Sequence, residues 1–114
     1  MTFTYDLASA DANIVLISKV RFEIADTVAN AGVRPDSSNL SDEEITLLLN
    51  EEAKDVMLAA ARACDILART WTLVANETVG PRRTELGAIS DKYERHASSL
   101  RSSSSNSRGI VYIL

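Results

Sequence analysis

The side chains best suited to metal binding or nucleophilic chemistry are scarce here: one histidine, His96, and one cysteine, Cys64. A transition-metal site draws on several imidazoles or thiolates, so one of each does not make the usual set. A single cysteine also forms no internal disulfide. Cys64 lies beside alanines in a stretch with helical pattern. A buried, inert thiol is expected there, because a nucleophilic thiolate needs a basic neighbour to lower its pKa. His96 falls near the end of a helical stretch and reads as a solvated imidazole.

Two acidic groups, Asp42-Glu43-Glu44 and Glu51-Glu52-Asp55, offer carboxylates for a divalent cation or an acid/base pair. Both fall at expected helix starts, where each carboxylate stabilises the positive end of the helix dipole by about 0.3 to 1 kcal/mol, and that accounts for them. No glycine-rich phosphate loop, nucleophile elbow or zinc-binding helix pattern occurs. Neither an enzyme nor a cofactor is expected. Arg82-Arg83 is a candidate contact for DNA or an acidic partner, with plain solvation as the simpler reading. The net charge of −4 argues against a dedicated DNA-binding module, which concentrates basic charge. The charge is uneven all the same. Six basic and thirteen acidic residues precede Arg82, and six basic and three acidic follow from there on, which suggests two different surroundings.

The elements that would carry these residues are helical. Aromatics make up only 5% of the chain against an apolar fraction of 46%, and the abundance of alanine favours helix. The spacing of Ile14, Ile17, Val20, Ile24 and Val28 predicts a first helix over about 11–29. The turn formers from Asn30 to Asn39 predict a ten-residue surface loop after it. Ser41 and Glu44 form a capping-box pattern that starts a second, short helix with Ile45, Leu48 and Leu49 inward. It breaks at Asn50-Glu51-Glu52.

A third and longest helix is predicted over about 53–76, free of glycine and proline. Val56, Ala60, Ala63, Leu67, Trp71 and Val74 lie on its apolar stripe, and Asp55, Arg62, Asp65, Arg69, Thr72 and Asn76 on its polar face. Val56, Leu67, Trp71 and Val74 are the expected core anchors. Gly80-Pro81 ends this helix. A fourth is predicted over about 84–100, burying Leu86, Ile89, Tyr93, Ala97 and Leu100, with Gly87 weakening its start. The fold class is thus all-α: a small bundle of about four helices with one long central helix, in a single domain over 1–101.

The end of the chain differs. Residues 102–108 read as a serine-rich flexible linker. Gly109-Ile110-Val111-Tyr112-Ile113-Leu114 reads as an extended arm that forms a β-strand with a partner, since its own chain supplies no partner strand. Strand addition to a sheet edge is a known recognition mode. One such arm binds weakly, and many arms engaged together bind firmly. No apolar run approaches a membrane span, and the N-terminus lacks a signal-peptide pattern, so a cytosolic protein with no membrane partner is expected.

The order Phe3-Thr4-Tyr5-Asp6-Leu7, Lys19-Val20-Arg21, Leu40-Ser41-Asp42-Glu43-Glu44-Ile45, Asp55-Val56-Met57-Leu58-Ala59-Ala60-Ala61 and Trp71-Thr72-Leu73-Val74-Ala75 resembles the tailed-phage head-tail connector (adaptor) proteins, from about Phe3 to Arg101. The resemblance implies a structural virion protein made in the host cytoplasm. It implies a homo-oligomeric ring, commonly of twelve copies, between the portal protein and the stopper or tail-completion protein at the neck, with DNA passing through the channel. It further implies that the early acidic excess lines a channel that does not hold DNA, and that a C-terminal arm reaches the portal, for which Gly109 to Leu114 is the candidate, with a neighbouring subunit or the next ring as the alternative partner. The rival expectation is a small cytosolic regulatory protein that binds one partner through its helices, with the tail as a docking peptide.

Overall fold

The computed structural model describes residues 2–113, with side-chain surroundings through Ser104. Four helices follow one another: α1 (Ala12–Ile24), α2 (Asp42–Glu51), α3 (Val56–Glu77) and α4 (Arg82–Ile113), with no strand among the described residues. The chain is an all-α bundle in which α3 is the common partner. It packs against α1, α2 and α4, and α1 also touches α2.

The alanines of α3 make this possible. Ala59, Ala60, Ala61, Ala63 and Cys64 are wholly buried, and such small side chains let neighbouring helices approach from several sides. Around them close Ile17, Val20 and Ile24 from α1, Ile45, Leu48 and Leu49 from α2, Leu67 from α3, and Ala97 and Leu100 from α4. On the α4 side, the Ser90 hydroxyl bonds both the Ala68 carbonyl (2.8 Å) and the Thr72 hydroxyl (2.6 Å).

The capping box at α2 forms as the sequence predicts. Ser41 Oγ accepts from the Glu44 amide at 3.1 Å, and Glu44 Oε1 accepts from the Ser41 amide at 2.9 Å. Asp11 caps α1 through the Asn13 amide, and Asp55 caps α3 through the Leu58 amide.

Four features depart from the sequence pattern. α1 stops at Ile24 instead of running to residue 29, because Ala25 takes the left-handed conformation (φ 59°) and its amide closes on the Arg21 and Phe22 carbonyls. The helical spacing of Val28 was therefore accidental, and Val28 is exposed. The segment after it is more than a surface loop, since Asp26 and Leu40 are both buried. α3 starts at Val56 and not at Ala53: Ala53 and Lys54 both have positive φ (53° and 67°) and reverse the chain after α2.

The fourth departure concerns the end of the chain. Residues 102–108, expected to be a linker, and 109–113, expected to be extended, continue α4 as helix to Ile113. Adding residues to an existing helix is far cheaper than nucleating one, and Ala88 through Arg108 contain neither glycine nor proline. A lone chain, moreover, supplies no edge on which to build a strand. Leu114 lies outside the described residues, as do the side chains expected to serve the arm.

Candidate interaction surfaces and the buried hub

The residues suited to chemistry are engaged in structure. Cys64 is buried, and burial pushes its thiol up to about 12, with the neighbouring Asp65 charge adding to the effect and Arg101 opposing it. A thiol held so far above neutral pH is not a nucleophile. His96 is half-buried within α4 and is not a free imidazole at a helix end. Its Nε2 lies 2.6 Å from the Glu23 carbonyl oxygen and joins α4 to the last turn of α1. Among the described residues no group of three His, Cys, Asp or Glu side chains could hold a metal ion.

The acidic groups divide. Asp42, Glu43 and Glu44 occupy the first turn of α2, where the dipole favours them. Glu51 instead ends α2 and Glu52 is its C-cap, where the dipole is unfavourable. Arg62 answers both, at 2.5 Å from Glu51 and 3.8 Å from Glu52, and its pKa is raised chiefly by the hydrogen bond to Glu51.

Of the four core anchors, Leu67 is fully buried, while Val56, Trp71 and Val74 are half-buried. Trp71 has a second role that the sequence did not suggest. Its indole N–H donates to the Val33 carbonyl at 3.0 Å and pins the 25–41 segment to α3. Arg82 and Arg83 are exposed at the start of α4.

The main polar constellation is one the sequence reading missed. Arg21 and Asp26 are each completely buried, and Arg21 Nη1 meets Asp26 Oδ2 at 3.0 Å. The same guanidinium donates to the Thr4 carbonyl (2.9 Å), the Leu40 carbonyl (2.8 Å) and Asp42 Oδ1 (2.7 Å), and lies 4.1 Å from the centre of the Phe3 ring. Asp26 also accepts from the Leu40 amide (3.0 Å) and the Asn39 side chain (2.7 Å). One ion pair thus ties the N-terminal segment, α1, the 25–41 segment and the start of α2 together, and no buried side-chain polar atom among the described residues lacks a partner. The available signal was position. Residue 21 sits four after Ile17 and three before Ile24, on the inward stripe, where an arginine must be paired to be tolerated.

What the surface offers is apolar area. Phe22 is 62% exposed, Leu73 64%, Leu47 58% and Leu7 47%. Leu7, Phe22, Val56 and Met57 line one groove, with Lys19 and Glu23 at its rim. Leu73 and Ala68 lie in another groove between α3 and α4, rimmed by Asp65, Arg69 and Glu94. Among the described residues no helix is long and apolar enough to cross a membrane. No protein-family model matches the chain, and neither does any curated protein or solved structure.

Proposed function

We propose that this chain is a structural assembly protein of the head-tail connector kind. In this role it forms a ring that joins a phage portal to the stopper or tail components and lets DNA through its channel. The role is one of shape and contact, with no chemical step.

The observation that carries the reading is α4. It is a single helix of 32 residues, about 48 Å long at 1.5 Å per residue. It lies antiparallel on α3 as far as Ser104, whose hydroxyl meets the Asp55 cap of α3 at 3.2 Å. Nine further residues then continue past the start of α3. A compact helical body bearing a projecting arm suits a part that must hold both its neighbours and a second component. The sequence resemblance gives the reading its particular form. Among its supports is the apolar groove of Leu7, Phe22, Val56 and Met57, since a contiguous exposed apolar patch marks an interaction site.

Native mass spectrometry of the protein alone and with its portal, with and without residues 108–114, tests the proposal. A ring-sized complex that sits on the portal and is lost on truncation is expected. A full-length chain that stays monomeric or dimeric and ignores the portal overturns the proposal.

A further inference from the structure

α1 is too apolar for a helix covered on one side. Ile14, Val15, Leu16, Ile17, Val20, Phe22 and Ile24 surround most of its circumference, and a helix apolar on all sides normally has cover on all sides. Within the chain, Ile17, Val20 and Ile24 face the core, while Phe22 stands 62% exposed next to Leu7. The rim of this patch carries one charge of each sign, Lys19 and Glu23. Neither belongs to an ion pair among the described residues.

The groove between α3 and α4 has matching properties. Its apolar floor is Ala68 and Leu73, and its rim carries Asp65, Arg69 and Glu94; Asp65 is held by Arg101, which leaves Arg69 and Glu94, one of each sign, without an ion pair among the described residues. The two patches share no residue. At about 100° per residue, Arg69 and Leu73 lie about 200° and 240° round α3 from Leu67, a fully buried core residue. Arg69 and Leu73 are thus turned away from the buried face of α3.

We infer that these two patches are the two halves of one interface between copies of this chain. Phe22 of one copy seats over Leu73 in the α3–α4 groove of the next, with Lys19 meeting Glu94 and Glu23 meeting Arg69. The occupant of each patch is a second copy because the complementary apolar floor and the complementary pair of charges stand on the same molecule. Joining two different patches is a heterologous contact, which repeats from copy to copy and closes into a ring when the rotation allows. The inference rests on the proposed ring and names its subunit contact.

Complementation of two full-length variants tests it. Phe22→Glu and Leu73→Glu alter exposed side chains, so both variants should keep the wild-type helical circular dichroism. Each alone should be monomeric in sedimentation velocity, with association weakened about thirtyfold or more, as for loss of a buried aromatic anchor. Mixed, they retain one intact Phe22 patch and one intact Leu73 groove, and should form a 1:1 dimer that grows no further. A second pair reads the charges: Lys19→Glu and Glu94→Lys should each weaken assembly, and the two together in one chain should restore it.

A wild-type chain that is monomeric at high concentration overturns the inference. So do assembly that survives both glutamate variants, a mixture that yields no dimer, and a double charge swap weaker than either single one. If the variants assemble as well as wild type and still bind the portal, this interface is wrong and the connector reading stands. If the 1:1 dimer forms but wild-type rings ignore the portal, the interface stands and the connector reading fails.

Discussion

Arg21 and Asp26, both fully buried, meet at 3.0 Å across the end of α1, and around that bond the N-terminal segment and the start of α2 are fastened. Removing Asp26 takes one of two counter-charges from the buried guanidinium, which keeps Asp42, and strands the Leu40 amide, at a cost of about 3 kcal/mol. Asp26→Ala should therefore lower the stability by about that amount in urea unfolding. Arg21→Lys should also be costly, because an ammonium cannot reproduce the fork that serves Thr4, Asp26, Leu40 and Asp42 together. A loss under about 1 kcal/mol for Asp26→Ala would show that the pair is dispensable.

Acid should weaken the fold through the start of α2. Burial pushes the Glu44 carboxyl up, but its bonds to the Ser41 amide and hydroxyl and its pairing with Arg34 outweigh this and leave it below its ordinary value of 4.5. The unfolded chain thus binds the proton more readily than the folded one. The stability contributed by Glu44 is present above 4.5 and is lost as pH falls through the lower folded value. Urea midpoints measured from pH 6 downward should fall in that window, and Glu44→Gln should flatten the slope.

Glycine substitutions should act in opposite directions at two positions. A Cβ on Gly87 meets nothing within 4 Å, so Gly87→Ala inside α4 should stabilise by about 0.5 to 1 kcal/mol. A Cβ on Gly32 would lie 1.9 Å from the Ser38 carbonyl oxygen, so Gly32→Ala should destabilise by pushing the 25–41 segment apart. Thermal melts of the two variants check both signs.

Cys64 reports on opening. With its thiol buried and raised to about 12, it should resist a thiol reagent at pH 8 in the native protein and react quickly in urea. Fast labelling without denaturant would show that α3 and α4 separate readily.

Trp71→Phe keeps an aromatic ring, though a smaller one, and removes the indole donor to the Val33 carbonyl. A loss of about 1 kcal/mol is expected, with the 25–41 segment becoming more open to proteolysis.

Much of the helical layout was legible in the sequence because it follows from local rules. Ser41 and Glu44 announce their capping box three residues apart, and Gly80-Pro81 marks the corner between α3 and α4. What local rules missed depends on distant partners. Nothing near Ala25 predicts that it turns left-handed, since the reward lies in bringing Asp26 back onto Arg21 and the Leu40 amide. His96 looked solvated because its acceptor, the Glu23 carbonyl, is 73 residues away in the chain. Residues 102–113 read otherwise from composition alone, since serines and β-branched residues are poor helix initiators, yet in the lone chain they extend a helix that α3 has already organised.

The way α4 is attached has a mechanical consequence. Among the helices it packs along α3 alone, and among the described residues its one hydrogen bond to α1 is that of His96. A pull on the far end of α4 would run down a stiff rod into the α3 seam, loading Ser104, Arg101 and Ser90 in shear one after another. The Arg21–Asp26 knot, none of whose hydrogen-bond partners belongs to α3 or α4, would carry almost none of that load. A force applied at the arm should therefore peel the hairpin while the N-terminal half keeps its shape.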